Sequence, residues 1–274
     1  MACRSENKAQ AAIEEIKAAA PKSNGVLVFL PLDLADLTTV KPAAEAFLAK
    51  EEKLHVLFNN AGVMNPPEGQ KTTQGYELQL GVNCVAPFLF TQLLTPKLVE
   101  TAKSEPAGTV RVVWVASMAI DLYSIKGGVD VDNLKAGGYV KEPKLLAKYG
   151  ISKAGNYFHG TEYARRYKKD GVISVVSNKC LVFFLWGAAD ANTIQVVNPG
   201  NLDSELYRYV GKQQSAIVNF QMSMFTKYML HPVVHGAYTE LFGGLSPLVT
   251  LEKTGSYGES TTLISKRTLN VHHR

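Results

Sequence analysis

Short apolar runs recur along the chain: Val26–Leu30 (VLVFL), Leu54–Phe58 (LHVLF), Val110–Ala116 (VRVVWVA) and Val172–Val176 (VISVV). They are nearly continuous rather than alternating, which is the pattern of strands covered on both faces, as in a parallel sheet. Parallel neighbours need crossover connections, and stretches with helical spacing fill the gaps. These are Ser5–Ala20, Thr38–Lys50, Thr73–Lys103 (read as two helices) and Tyr149–Lys169. Ser5 suits the N-cap of the first, and Pro21 with Gly25 stops it. Helix and strand in alternation predict a doubly wound parallel α/β sheet in one domain.

Composition permits such a core and removes several function classes. Hydrophobic residues make up 46% of the 274 and charged residues 19%, a balance that excludes wholesale disorder. The net charge of +5 is spread out, with only short clusters at Arg165-Arg166 and Lys168-Lys169, so no nucleic-acid footprint emerges. Cys3, Cys84 and Cys180 form no CxxC or Cys/His ligand spacing. That argues against a disulfide framework or a zinc site and for a reducing, cytoplasmic setting. The histidines, including His272-His273 at the tail, make no triad or metal pattern. No apolar run approaches the roughly 20 residues of a membrane helix; the greasiest, Cys180–Trp186, is far shorter, and the opening MACRSENKAQ has no apolar signal region.

Polar features that could carry chemistry occur in a fixed order. Asn59-Asn60-Ala61-Gly62 follows a strand, Asn83 lies in a helix, Ser117 follows a strand, and Tyr149 and Lys153 open a helix. Tyr149 and Lys153, at i and i+4, project from one helical face. A phenol titrates near pH 10, too high for proton transfer at neutrality, and a neighbouring ammonium lowers that value. Of the 12 tyrosines, only Tyr149 has a lysine four residues on. Each feature also has a plainer reading: a surface Tyr–Lys pair, a serine that caps a turn, an ordinary Asn-Gly turn.

Taken together and in order, these residues resemble the short-chain dehydrogenase/reductase family. The matches are NNAG at 59–62, the serine of VASMA at 115–119, YGISK at 149–153 and NPG at 198–200, and the resemblance runs from about Ala2 to Tyr257. It is nearest the retinol-dehydrogenase-like fungal and animal members. The resemblance implies a Rossmann-type fold over residues 1–257 and hydride transfer between NADP(H) and a carbonyl or alcohol. It gives Tyr149 the role of acid/base, Lys153 those of tuning the phenol and holding ribose, and Ser117 that of donor to the substrate oxygen. Asn83 would hold a water in a proton relay. The substrate would be a small apolar molecule, retinoid-, steroid- or polyketide-like, with residues 201–235 shaping its pocket, and the helix at Tyr149 often builds a homodimer interface.

Cofactor contacts follow the same likeness. A Rossmann-type strand ending in an acidic residue binds the ribose 2′-hydroxyl, whereas an arginine there accepts a 2′-phosphate. Ala2-Cys3-Arg4 has no acid before Arg4, which favours NADP(H) over NAD(H). Asp33 and Leu34 match the adenine-contacting pair, although Asp33 could instead cap the helix at Thr38. Asn60, Ala61 and Gly62 would approach the adenosine ribose, Pro199 and Gly200 would flank the nicotinamide, and Ser204 stands where the family has a threonine.

Three departures qualify the likeness. No first strand with a Gly-rich turn precedes Ala2 in this sequence, and backbone N–H groups of such a turn hold the pyrophosphate. The chain therefore reads as an N-terminally truncated domain. Between GVISV at 171–175 and the segment leading into NPG lie 20 extra residues, 176–195, read as a retained intron because Val176-Ser177 and Gln195 can be encoded by splice-site sequences, with a genuine surface insertion as the alternative. The polar tail 258–274 is atypical. An alternative of another class follows: a catalytically inactive relative unable to bind dinucleotide.

Overall fold

The computed structural model describes residues 1–117, 119–131, 145–177 and 233–254. Ser5 adopts an extended conformation (φ −108°, ψ 113°) and its side chain accepts the Lys8 N–H at 3.4 Å, so helix α1 spans Glu6–Ala19 and stops before Pro21. Strand β1 (Ala2–Cys3) pairs in parallel with β2 (Leu30–Pro31), Ala2 opposite Leu30. Strands β3 (Val56–Asn59), β4 (Arg111–Val115) and β5 (Ile173–Ser177) form a second parallel ladder in that order, with Val56 opposite Arg111 and Arg111 opposite Ile173. The two ladders are separate.

The expected strand at Val26–Leu30 needs correction. Only its last residue pairs, while Val26 is 84% exposed. A ladder is no longer than its shorter strand, and β1 offers two residues. The chain's first amino group instead donates to Val28 O at 2.6 Å.

Thr73–Lys103 is likewise not two helices but one, α3 (Leu78–Ser104), interrupted by a π turn at Gly81–Val85. The stretch before it is a turn in which Thr72 N–H donates to Tyr76 O. A 3₁₀ turn at Leu37–Thr39 leads into α2 (Val40–Leu48). Helices α4 (Ala119–Tyr123), α5 (Leu145–Tyr167) and α6 (Val233–Leu245) complete the described elements.

Strand β4 lies at the centre, buried along its whole length. Its side chains alternate between two apolar layers, as the pleat requires. Val112 and Trp114 join Val40 of α2, Leu94 and Leu98 of α3 and Tyr163 of α5. Val113 faces the other way, with Ile173, Val175, Val249 and Phe242 of α6. Helices thus cover both faces of a parallel sheet. By length and composition α3 could cross a membrane, yet 67% of its most apolar stretch is buried, as in a core helix.

Candidate active site

Helix α5 presents a polar face to the C-terminal end of β4. Lys153 Nζ donates to Val115 O at 2.7 Å, and Asn156 Nδ2, three residues on, donates to the same oxygen at 3.0 Å. Lys153 is only 4% exposed, and its Nζ stands 5.9 Å from the centre of the Tyr149 ring. The bond to a backbone carbonyl fixes the position of this buried amine. Tyr149 is itself buried and packs with Met64 and Ala119. Ser117, two residues past β4, accepts the Ala119 N–H at 3.2 Å through Oγ. Its Oγ thus takes the N–H of the first residue of α4, in keeping with the plainer reading of a strand-end serine.

The π turn delivers Asn83 to this group. Asn83 Oδ1 accepts the Val63 N–H at 2.8 Å, and Nδ2 donates to Val63 O at 2.9 Å and to Ser152 Oγ at 3.0 Å. Both amide hydrogens are therefore engaged in holding the loop after β3 and helix α5. Ser152 Oγ in turn donates to Tyr149 O at 2.8 Å. Gly62 is also sterically confined: a Cβ there would stand 3.0 Å from Asn83 Oδ1 and 3.7 Å from Lys153 Nζ.

A cavity of about 150 Å³ opens beside this cluster, lined at the C-terminal ends of β1, β2 and β3. Arg4, Asp33, Leu34, Ala61 and Gly62 all line it, with Val63, Leu78 and Val82 leading toward Asn83. Asn60 is exposed and outside this lining. Asp33 does not cap the following helix. Its Oδ1 accepts the Ala35 N–H at 2.9 Å, whereas Asp36 Oδ1 takes the Thr38 N–H at 3.0 Å. The Arg4 side chain is exposed at the rim of this cavity, beside Asp33 and Leu34. Gly62 is the one glycine in that lining. Pro199, Gly200 and Ser204, most of the 176–195 segment and the tail lie outside the described residues.

A second buried pair flanks the first. Cys84 Sγ lies 3.2 Å from His159 Nε2. Burial pushes the Cys84 thiol up to about 12, with the Lys153 charge pulling weakly the other way, so the sulfur stays protonated. Burial lowers His159 to about 4 and keeps its ring neutral. Neither group has the character of a nucleophile and base at neutral pH.

Sequence reasoning missed Gln79, Ser152 and Asn156, all buried and all bonded within this cluster. Gln79 carried a usable signal, since it lies four residues before Asn83 on an otherwise apolar helix face.

The family model described as short chain dehydrogenase matches residues 1–129. A Phomopsis amygdali protein named short-chain dehydrogenase/reductase is 46% identical over 254 residues, 92% of this chain and 67% of that protein. Short-chain dehydrogenase/reductase sthC of Phaeosphaeria nodorum is 42% identical over 268 residues, covering 96% and 76%. Among solved structures, NADPH-bound carbonyl reductase from chicken fatty liver superposes with a TM-score of 0.57 at 20% identity, covering 93% of this chain and 78% of that one. A 3-oxoacyl-[acyl-carrier protein] reductase from Brucella melitensis, in complex with NAD, gives 0.58 at 17% identity, covering 93% and 81%. At those identities the structural likeness bears on the fold alone.

Proposed function

The chain belongs to the short-chain dehydrogenase/reductase family of oxidoreductases, and on that premise we propose that it transfers hydride between NADP(H) and the carbonyl or alcohol of a small apolar molecule. The observation that carries this reading is the buried Lys153 ammonium, tied to Val115 O at 2.7 Å and held 5.9 Å from the Tyr149 ring. Tyr149 moves the proton at the substrate oxygen, donating in reduction and accepting in oxidation. Lys153 stabilises the phenolate side of that exchange. Ser117 donates its hydroxyl hydrogen to the same oxygen and polarises the carbonyl. Asn83 would hold the water of a proton relay from Lys153, accepting from it through the remaining Oδ1 lone pair, since its hydrogens are engaged by Val63 and Ser152.

The nicotinamide supplies the hydride when bound. Arg4, Asp33, Leu34, Ala61 and Gly62 would hold the adenosine end, with Arg4 favouring a 2′-phosphate. Asn60, Pro199, Gly200 and Ser204 complete the proposed contacts by family resemblance.

One observation favours a second reading, in which the catalytic cluster is present but the dinucleotide is not retained. The sheet is in two separate ladders, and the cavity lining holds no Gly-rich turn to cradle a pyrophosphate among the described residues. Titration of the purified 274-residue chain with NADPH and NADH, followed by tryptophan fluorescence, separates the two. Saturable binding that is tighter for NADPH, with NADPH consumption on addition of apolar aldehydes or ketones, is the expected result. Absence of dinucleotide binding selects the second reading, and a Tyr149→Phe variant with full turnover overturns the acid/base assignment.

A further inference from the structure

Met64 belongs to one buried apolar cluster with Tyr149 and Ala119. The residue after it is backbone-strained. Asn65 has φ +47°, in the left-handed region, and its Oδ1 is buried with no hydrogen-bond partner among the described residues. Asparagine tolerates that region better than most residues, but usually with its side chain satisfied. A strained peptide with an orphaned amide oxygen persists only where its surroundings dictate it.

What dictates it is Gln79. Its side chain is wholly buried, at 0% exposure. Oε1 accepts the Asn65 N–H at 2.9 Å, and Nε2 donates to Leu145 O at 3.2 Å and, at 3.4 Å, to Glu77 Oε1. Leu145 is the first residue of α5, and its carbonyl is the one to which α-helical geometry directs the Tyr149 N–H.

Asn83 repeats the arrangement four residues on. It holds Val63 by both backbone groups and reaches Tyr149 O through Ser152. Two carboxamides on one helix therefore grip the loop on either side of Met64 and the Tyr149 backbone on either side of its Cα. Tyr149 is thus located from both ends, and the loop that covers its ring is located by the same pair.

We infer that Gln79 is a positioning residue for Tyr149: its carboxamide fixes the Asn65 peptide and the first turn of α5 together, and so sets the phenol against Met64. The inference rests on Tyr149 being the proton donor, as proposed above. It assigns no contact between Gln79 and the substrate.

The test uses the full chain with Gln79→Met, which keeps the shape and loses all three bonds, and Gln79→Glu. Hydrogen exchange is read by mass spectrometry on segments containing 63–65, 145–149 and, as a control, 111–115. In Gln79→Met the first two are expected to exchange about tenfold faster or more while the β4 segment is unchanged. The same variant is expected to lose about tenfold or more in kcat with KM within about twofold of wild type, the signature of a misplaced catalytic group. In Gln79→Glu the carboxylate has no proton for Leu145 O and faces Glu77; once protonated, it reproduces the amide's donor and acceptor. Its kcat relative to wild type should therefore recover as pH is lowered.

Faster exchange at 63–65 alone, or unchanged kcat in an active enzyme, overturns the inference. So does faster exchange in β4 as well, which marks Gln79 as general core. If the wild-type chain turns over no substrate, the proposed function fails separately, and joint acceleration of 63–65 and 145–149 still decides whether Gln79 couples them.

Discussion

The Tyr149 end of the molecule and the Arg4 end are built from unequal amounts of structure. Around Tyr149, Lys153, Asn83, Ser152, Gln79 and Asn156 are all buried, and each is bonded to another element. Around Arg4 there is a ladder of two residues per strand, an exposed guanidinium and an open cavity. The groups proposed to move the proton are over-determined, whereas those proposed to meet the cofactor are few and accessible. The expectation is large, specific effects at the first end and small, ligand-dependent ones at the second.

Replacing Lys153 by Met should cost the most, about a thousandfold in kcat, with a smaller loss of dinucleotide binding measured by fluorescence, about tenfold, for the ribose contact. A loss confined to binding would place Lys153 with the Arg4 end and dissolve the contrast. Gly150→Ala should follow, because a Cβ there would stand 2.5 Å from Ala119 O and 2.8 Å from Ser124 N, both backbone atoms. About 3 kcal/mol of unfolding free energy should be lost, as measured by urea denaturation.

The third effect is a pH dependence. His159 takes a proton near pH 6.5 when unfolded but only at about 4 when folded, because burial disfavours the charged ring. Its contribution is fully present above pH 6.5 and lost as pH falls toward 4. On the order of 2 kcal/mol should disappear over that window, and His159→Gln should flatten the curve by the same amount. Arg4→Ala should be mildest: KM for NADPH rises about tenfold, near 1.4 kcal/mol, while KM for NADH stays unchanged. Equal loss with both cofactors would mean that Arg4 does not read the 2′-phosphate.

Legibility in the sequence was uneven for physical reasons. Tyr149 and Lys153 could be paired because helical spacing is local, and Arg4, Asp33, Leu34, Ala61 and Gly62 share a cavity because each stands just past a strand end. Gln79 could not be placed, since its partner Leu145 lies 66 residues away. Val26–Leu30 had the composition of a strand but lacked a partner long enough to pair with it. The crowding of Gly62 could not be read locally, because the side chains that press on it, Asn83 and Lys153, come from two other elements. Single helix α3 was read as two because a π turn breaks the 3.6-residue period without breaking the helix.

That turn makes the chain's tolerance to deletion unlike its tolerance to substitution. A π turn stores one residue beyond the α count, so removing any one residue from Gly81–Val85 lets the helix close into regular α geometry. Because the wider turn already absorbs that residue, the turns before and after it keep nearly their relative facing. Gln79 on one side and Leu94 and Leu98 on the other would hold their places, whereas residues inside the turn, Asn83 among them, would take new ones. A single lost codon there would spare the fold and loosen the Asn83 grip on Val63 and Ser152, a local repacking that no single side-chain replacement in the same five residues could reproduce.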